Sequence, residues 1–408
     1  MAFMLTVWAY VARYLGPEQF GLFNYALSFV FLFSILADLG LEPIVVRELV
    51  KDGAKENIVL GSSFALKLVG SLIAVFLVVM TTQILLMDSS TRVVLLVMSL
   101  RLIFLSLRGL DFYFQSKVLS KYTVYSLLAS LVVTAVLCLV FIYQKLPLIY
   151  FVWVVVMEAV VTSVGLLIIY QRKCGNIFSW KVQRREVIRL LKDSWPLVIS
   201  GAAVAVYMRI DQIMIKQMLD TASVGYYSSA VRISEAFYFI PMVLTSSLFP
   251  AIVNAKMKDK ELYQERLKKL LILLFWTAVV ISIFFTLAAK PIVRILYGPE
   301  YFPAVNVLVI HIWASIFVFL GVGMSKWMIS ENLQIYYMWN TIWGAVVNIV
   351  LNLYWIPRYG ILGTAAAAVF SQCVASTLAN LFNKKTREIF FLQMSVFQVN
   401  HLSLRRVR

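Results

Sequence analysis

The sequence predicts an all-α, polytopic membrane protein of about twelve transmembrane helices in two related halves. Hydrophobic residues make up 62% of its 408 residues, charged residues only 14%, and mean hydropathy is +0.86, which leaves too little polar surface to clothe a water-soluble globule. Apolar runs of about 20 residues, each long enough to cross roughly 30 Å of hydrocarbon as a helix, recur between short polar breaks. The chain also opens twice in the same way: LGPEQFGLFNYA from Leu15 and LDTASVGYYSSA from Leu219 carry Gly21 and Gly225 in register, each expected at a turn between two apolar runs, where glycine permits a tight turn and close packing. Internal duplication in such a chain is the usual plan of an alternating-access transporter, so the repeat points to movement of a solute and not to chemistry on it.

The first run, 1–15, reaches only about 22 Å as a helix, which predicts a native segment upstream of Met1 that completes it. MAFMLTVWAYVARYLG lacks a basic leader and a small-residue cleavage site, so no cleavable signal peptide is expected. The second run, 20–37, starts at Gly21 and aligns Asn24, Ser28, Asp38 and Glu42; the third covers 58–87. In the fourth, 93–114, helical spacing puts Arg101, Arg108, Asp111 and Gln115 within about 80° of arc, one polar stripe. The fifth, 122–143, is uninterrupted, and the sixth, 148–170, contains Glu158 alone.

Residues 172–194 break the pattern as a basic cytoplasmic linker, in which KVQRREVIRLLK (Lys181–Lys192) reads as an amphipathic helix on anionic headgroups. The seventh run, 195–218, sets Arg209 and Lys216 on one face, with Tyr207 and Asp211 nearly opposite; the eighth, 226–250, aligns Ser228, Arg232, Glu235 and Ser246. Runs at 270–290, 303–328, 334–356 and 361–382 complete the set. The expected organisation is an N-terminal transmembrane bundle 1–171 with a truncated first helix, the linker 172–194, a C-terminal bundle 195–384 and a basic tail 385–408, membrane-surface or disordered.

A net charge of +17 would suggest nucleic acid in a soluble protein, so the location of the positive charge decides the reading. It is one-sided. Alternate breaks carry Arg47, Lys51 and Lys55; Lys117 and Lys121; seven cations from Arg172 to Lys192; Lys256, Lys258, Lys260, Arg266, Lys268 and Lys269; and, in the tail, Lys384, Lys385, Arg387, Arg405, Arg406 and Arg408. The opposite breaks offer Arg13, Arg92, Lys145, Lys290, Arg294 and Arg358. The positive-inside rule puts the rich face and both termini in the cytoplasm of a multi-pass protein of the cytoplasmic membrane, with no nucleic-acid partner.

Catalysis has little footing. The longest polar segment, roughly Gln171–Ser194, is too short for a domain and is dominated by cations. There is no DxD pair for a metal-bound nucleotide sugar, no GxxxxGK[ST] phosphate loop and no GxSxG, and the two histidines, His311 and His401, make no metal site. No metal or other cofactor is called for, and the protein is read as not an enzyme. Cys138 and Cys373 fall inside spans and Cys174 beside the linker, a pattern of packing residues and not of disulfides.

The intramembrane charges carry the functional reading, because a charge in hydrocarbon usually faces a bundle interior or a water cavity. Arg108 with Asp111, and Arg232 with Glu235, are i,i+3 pairs that either neutralise each other or line a passage. Asp38, Glu42, Arg47 and Lys216 sit near span ends, where snorkelling is cheap. Arg101 is deep, has no opposite charge beside it in its own helix, and offers a guanidinium suited to bidentate phosphate binding. Glu158 is a candidate proton site. Asn340, Asn348 and Asn352 fit interhelical hydrogen bonding better than sugar binding, and His311 fits a satisfied core position. Trp153, Trp195, Trp276, Trp313, Trp339, Trp343 and Trp355 offer faces for sugar stacking, but interfacial anchoring explains most of them more cheaply.

These motifs resemble the polysaccharide flippases of the Wzx type, in the multidrug/oligosaccharidyl-lipid/polysaccharide exporter superfamily. The resemblance rests on VARYLGPEQFGLFNYALS, ADLGL, VVREL and RGLDFYFQ in the first half, and on YMRIDQIMI, VGYYSSAVRISE, LYGPEYFPA and IPRYGILGTAAAAVFSQ in the second. It implies two six-helix bundles forming a V around a central cavity, and a polyprenyl-diphosphate-linked oligosaccharide as substrate. It further implies membrane lipids, a polysaccharide polymerase and glycosyltransferases as partners in making a polysaccharide such as the O-antigen of lipopolysaccharide. Arg101, Arg108, Arg209 and Arg232 are then the substrate-binding cations, and Asp211, Glu158 and Glu235 the carboxylates that couple transport to an ion gradient. A multidrug or cation antiporter of the same superfamily, and a membrane glycosyltransferase, are the competing readings.

Overall fold

The computed structural model describes residues 2–51, 55–85, 87–256 and 259–397. Lys258, His401, Arg405, Arg406 and Arg408 therefore lie outside the described residues. Within them every regular element is helical: α1 (Ala2–Asp38), α2 (Glu42–Lys51), α3 (Glu56–Ile84), α4 (Ser89–Ser99), α5 (Arg101–Leu105), α6 (Leu110–Ser116), α7 (Lys121–Tyr143), α8 (Leu148–Lys173), α9 (Arg184–Met218), α10 (Thr221–Glu235), α11 (Phe239–Lys256), α12 (Lys260–Leu296), α13 (Pro303–His311), α14 (Ala314–Ser330), α15 (Gln334–Ser376) and α16 (Arg387–Met394).

Among the described residues ten segments are long and apolar enough to cross a membrane, and two of these are double. The first, 49 residues to Lys51, and the last, 48 residues from Gln334, each amount to about 70 Å of helix, more than two hydrocarbon thicknesses. Each breaks at a glycine with positive φ, Gly16 (72°) in α1 and Gly360 (58°) in α15. A Cβ disfavours that conformation, so glycine lets the chain turn and resume, and Pro17 then starts the next helix with its φ already set. With both double segments counted as two, the spans number the expected twelve.

The chain forms two compact units, one of residues 6–216 with 220–225, the other of 1–5, 217–219 and 226 onward. The first unit is closed by Leu41, Val45, Leu60, Phe114, Leu166 and Leu190, with the Tyr113 ring edge-on to Tyr170 at 5.1 Å. In the second, Leu267, Leu271 and Leu274 of α12 pack with Phe319 and Trp327 of α14. Its amides pair as lipid burial demands: Asn340 Nδ2 donates to Asn380 Oδ1 (2.7 Å) and Asn352 Nδ2 to Asn348 Oδ1 (3.2 Å). His311 Nδ1 meets the Ser234 hydroxyl at 2.7 Å, a satisfied core histidine.

Three local expectations change. The tail does not lie free over its described part: α16 buries Ile389, and the Gln393 amide donates to the Ser376 carbonyl at 3.0 Å. The amphipathic linker stretch is not a separate surface helix, because α9 runs unbroken from Arg184 to Met218. Its first turns are tied to α2 by Arg189–Glu48 (2.8 Å) and Arg47–Asp193 (3.1 Å), and Arg189 also pairs with Glu186 within α9 (2.6 Å). Finally, Gly21 and Gly225 lie inside α1 and α10 and not in turns. A Cβ on Gly21 would collide with the Thr221 carbonyl oxygen and stand 2.9 Å from Gly225 N, and one on Gly225 would collide with the Pro17 carbonyl. The repeated glycines allow a close helix crossing, which is how helices associate in lipid.

Two outcomes follow from this geometry. Gly21→Val should separate α1 from α10 and destabilise the purified protein by about 1–3 kcal/mol, read as a fall in melting temperature in detergent. Gly109→Ala should be neutral in the same assay, since its Cβ would meet the Lys67 stem at 3.5 Å and the Phe112 ring at 3.9 Å, both ordinary contacts. Asp88 caps α4 by accepting from the Thr91 amide at 2.9 Å, and the Thr91 hydroxyl and amide hold its carboxyl below the ordinary aspartate value of 3.8. Asp88→Ala should therefore cost about 1 kcal/mol. A depressed carboxyl stabilises only while ionised, so the gap between variant and parent should be full above that value and close as pH falls below it.

Candidate functional site

α1 ends at Asp38, and the chain passes through Leu39 (φ 53°) and Gly40 (φ 58°) into α2. α3 passes that end so closely that a Cβ on Gly70 would collide with the Leu36 carbonyl oxygen. One turn earlier on α3 stands Lys67, 1% exposed. The crossing delivers its Nζ to 3.1 Å from Asp38 Oδ1 and 4.8 Å from the Phe112 ring centroid. An ammonium enclosed among helices is costly without a counter-charge, and the carboxylate and the ring face supply one.

The fourth apolar run is not one smooth helix but α4, α5, a 3-10 turn at Leu107–Gly109 and α6. The backbone stays right-handed at the joints, so the polar stripe keeps its direction. Arg101 and Arg108 line a cavity of about 110 Å³ together with Asp38 and Phe31. Arg108 and Asp111 line a second, of about 310 Å³, with Asp38, Glu42 and Lys67. Asp38 and Arg108 border both, so the two cavities adjoin, and the pair is termed the charged compartment.

The carboxylates there are already engaged, and two of the cations are not. Asp38 holds Lys67; Asp111 accepts from Thr123 Oγ1 (2.5 Å) and Gln115 Nε2 (3.1 Å); the same Gln115 amide donates to Glu42 (3.0 Å). Arg108 does not pair with Asp111, the first of the two i,i+3 pairings that the sequence allows. Among the described residues neither Arg101 nor Arg108 has a hydrogen-bond or ion-pair partner. Glu158, isolated in the sequence, lies within electrostatic reach of Arg101, as do Asp38 and Arg108.

The other predicted residues fall as follows. Arg209, on α9, sits 5.6 Å from the centroid of the Phe31 ring that lines the smaller cavity. Asp211 is buried beside Gln212, whose Oε1 accepts from Ser28 at 2.7 Å. Arg232 and Glu235 belong to the second unit, on α10. Their stripe stops there: α10 ends at Glu235, α11 begins at Phe239, and Ser246 is exposed. Lys216 does not snorkel; its Nζ donates to Thr91 Oγ1 at 2.7 Å and stands 4.5 Å from the Tyr25 ring centroid. Lys67 was missed by the sequence reading, although a lone cation inside the third apolar run was its signal. Among the described residues no group of three or more His, Cys, Asp or Glu could hold a metal ion.

Comparison with known proteins fits this geometry to a family. The polysaccharide biosynthesis protein family matches residues 2–256. The chain belongs to that family. The MatE family also matches, over residues 196–354. A relative, the probable flippase AglR of Haloferax volcanii, is 28% identical over 184 residues, and the match takes in 42% of this chain and 37% of that protein, well under half its length.

Two solved structures share the fold over almost the whole chain. One is a multidrug resistance MATE family transporter of the MOP superfamily in an inward-facing conformation (TM-score 0.75, 15% identity, 96% of this chain and 95% of that one). The other is the lipid II flippase MurJ in an inward closed conformation (TM-score 0.72, 14% identity, 97% and 91%). The protein is thus a multi-pass membrane protein of the polysaccharide biosynthesis protein family that shares the fold of those two structures.

The ion pair gives a direct test. Lys67→Ala should leave Asp38 without its cation, and Asp38→Asn should leave the enclosed ammonium without its charge, each destabilising by about 1–3 kcal/mol. Joint replacement by Lys67→Met and Asp38→Leu should recover most of that melting temperature.

Proposed function

We propose that the protein is a flippase that carries polyprenyl-diphosphate-linked oligosaccharide across the cytoplasmic membrane by alternating access, without making or breaking a bond in it. The observation that carries this reading is the pair of uncommitted guanidinium groups, Arg101 and Arg108, opening with Lys67 on one compartment in a chain of the polysaccharide biosynthesis protein family. A diphosphate presents several anionic oxygens on adjacent centres, which planar guanidinium forks grip two at a time. Arg209 and Arg232 are the further cations of the path. The glycan is a repeat unit of a surface polysaccharide such as an O-antigen.

With no phosphate loop in the sequence, the drive is an ion gradient, and Asp211, Glu158 and Glu235 are the candidate coupling carboxylates. The basic loops support an orientation with both termini in the cytoplasm. A cation or drug antiporter would share the fold, but its compartment would leave carboxylates uncommitted. Here Asp38, Glu42 and Asp111 are engaged, and among the described residues Arg101 and Arg108 are not.

The test is flipping of a fluorescent polyprenyl-diphosphate oligosaccharide in proteoliposomes. The double variant Arg101→Ala, Arg108→Ala should lower the initial rate by about tenfold or more, the effect of losing charge-assisted hydrogen bonds. An unchanged rate would remove both residues from the mechanism.

A further inference from the structure

The first unit holds a second cavity, far from the cationic compartment. It has a volume of about 860 Å³, inside the range of roughly 300–1,000 Å³ of small-molecule sites. Glu18 lines it and Asp38 lines the other, so the two stand about 30 Å apart along the second part of α1, one hydrocarbon thickness. By the charge map the second cavity is on the outer face, opposite the basic loops.

Its chemistry is neither that of an anion site nor that of a cation site. The ionisable lining groups are Glu18, Asp88 and Lys216, two negative and one positive, so nothing there selects an anion as Arg101 and Arg108 do. The two carboxylates have different tasks, Asp88 being spent on the Thr91 amide. Glu18, Gln19, Ser89 and Ser90 have no side-chain hydrogen-bond partner among the described residues. They supply acceptors, an amide that both donates and accepts, and two hydroxyls that do the same. The floor beneath them is apolar, built from Leu22, Val94 and Leu148, with the Lys216 ammonium beside it.

Hydroxyls around a ring with apolar C–H faces match such a lining, whereas a phosphate or a drug-like cation matches only part of it. The groups are also held rigidly. They stand in the first turns of three helices whose starts are fixed by Pro17, the Asp88 cap and Pro147, so little ordering is needed on binding.

We propose that this cavity is a saccharide-binding site for an uncharged glycan of a few rings. Its use as the place where the transported headgroup rests before release depends on the flippase reading; the binding itself does not.

The test is saturation-transfer NMR on the full-length protein in nanodiscs, with maltotriose, chitotriose and mannotriose as free probes and inorganic phosphate as the anion. At least one trisaccharide should bind saturably. Ser90→Trp, which fills the mouth, and Glu18→Ala with Gln19→Ala, which removes two rim groups, should each weaken it about tenfold or more, the worth of one or two hydrogen bonds. Arg108→Ala should leave it unchanged. Binding that survives both rim variants, binding of phosphate in place of sugar, or no binding by any trisaccharide would overturn the proposal. The probes carry neither lipid nor diphosphate, so a failed flipping assay with intact trisaccharide binding would sink the transport reading and leave this site standing.

Discussion

The first unit depends on how closely other helices approach α1. Gly70 of α3 lies against the Leu36 carbonyl, Gly201 of α9 against the Ile35 side chain, and Gly225 of α10 against the Pro17 carbonyl, while Gly21 of α1 itself lies against Thr221. Lipid tails are as apolar as leucine, so helices in a bilayer gain little by hiding hydrophobic surface from one another. They gain by dispersion contacts and hydrogen bonds at short range, which a missing Cβ permits.

That closeness sets the electrostatics. Lys67 reaches Asp38 because Gly70, one turn on, brings the two helices together. With Asp38 committed to Lys67, and Asp111 and Glu42 to Thr123 and Gln115, the compartment's unspent groups are Arg101 and Arg108. The cationic character is therefore a consequence of pairing and not of a simple count, since acidic residues stand beside the basic ones. About 30 Å away along α1, Glu18 and Gln19 present a carboxylate and an amide beside the Ser89 and Ser90 hydroxyls of α4, over apolar Leu22, Val94 and Leu148. One helix thus carries two chemically distinct surfaces.

Much of the fold was legible in the sequence because hydrocarbon admits few solutions: apolar runs must be helices, and their breaks must be polar. The twelve spans, the interhelical asparagines and the core role of His311 follow from that constraint. The polar stripe of the fourth span was legible too, since Arg101 and Arg108 share a face at helical spacing and share a cavity in space. Lys67 was not, because its meaning depends on Asp38, on another helix. The glycine repeat was half right: Gly21 and Gly225 correspond and pack closely, but they do not sit in the turn, because a glycine in a turn and a glycine at a crossing look alike in one dimension. The break belongs to Gly16, five positions earlier.

By itself the sequence determined that this protein is helical, crosses the membrane many times, and carries guanidinium groups at depths where lipid tolerates them only for a reason. Those are local properties, fixed by solvation and by the geometry of a single helix. Only the tertiary structure decided which charges neutralise one another, which remain available, and where a lone lysine finds its counter-charge. Pairing energies fall off over a few ångströms, and those distances are set by helices far apart in the chain.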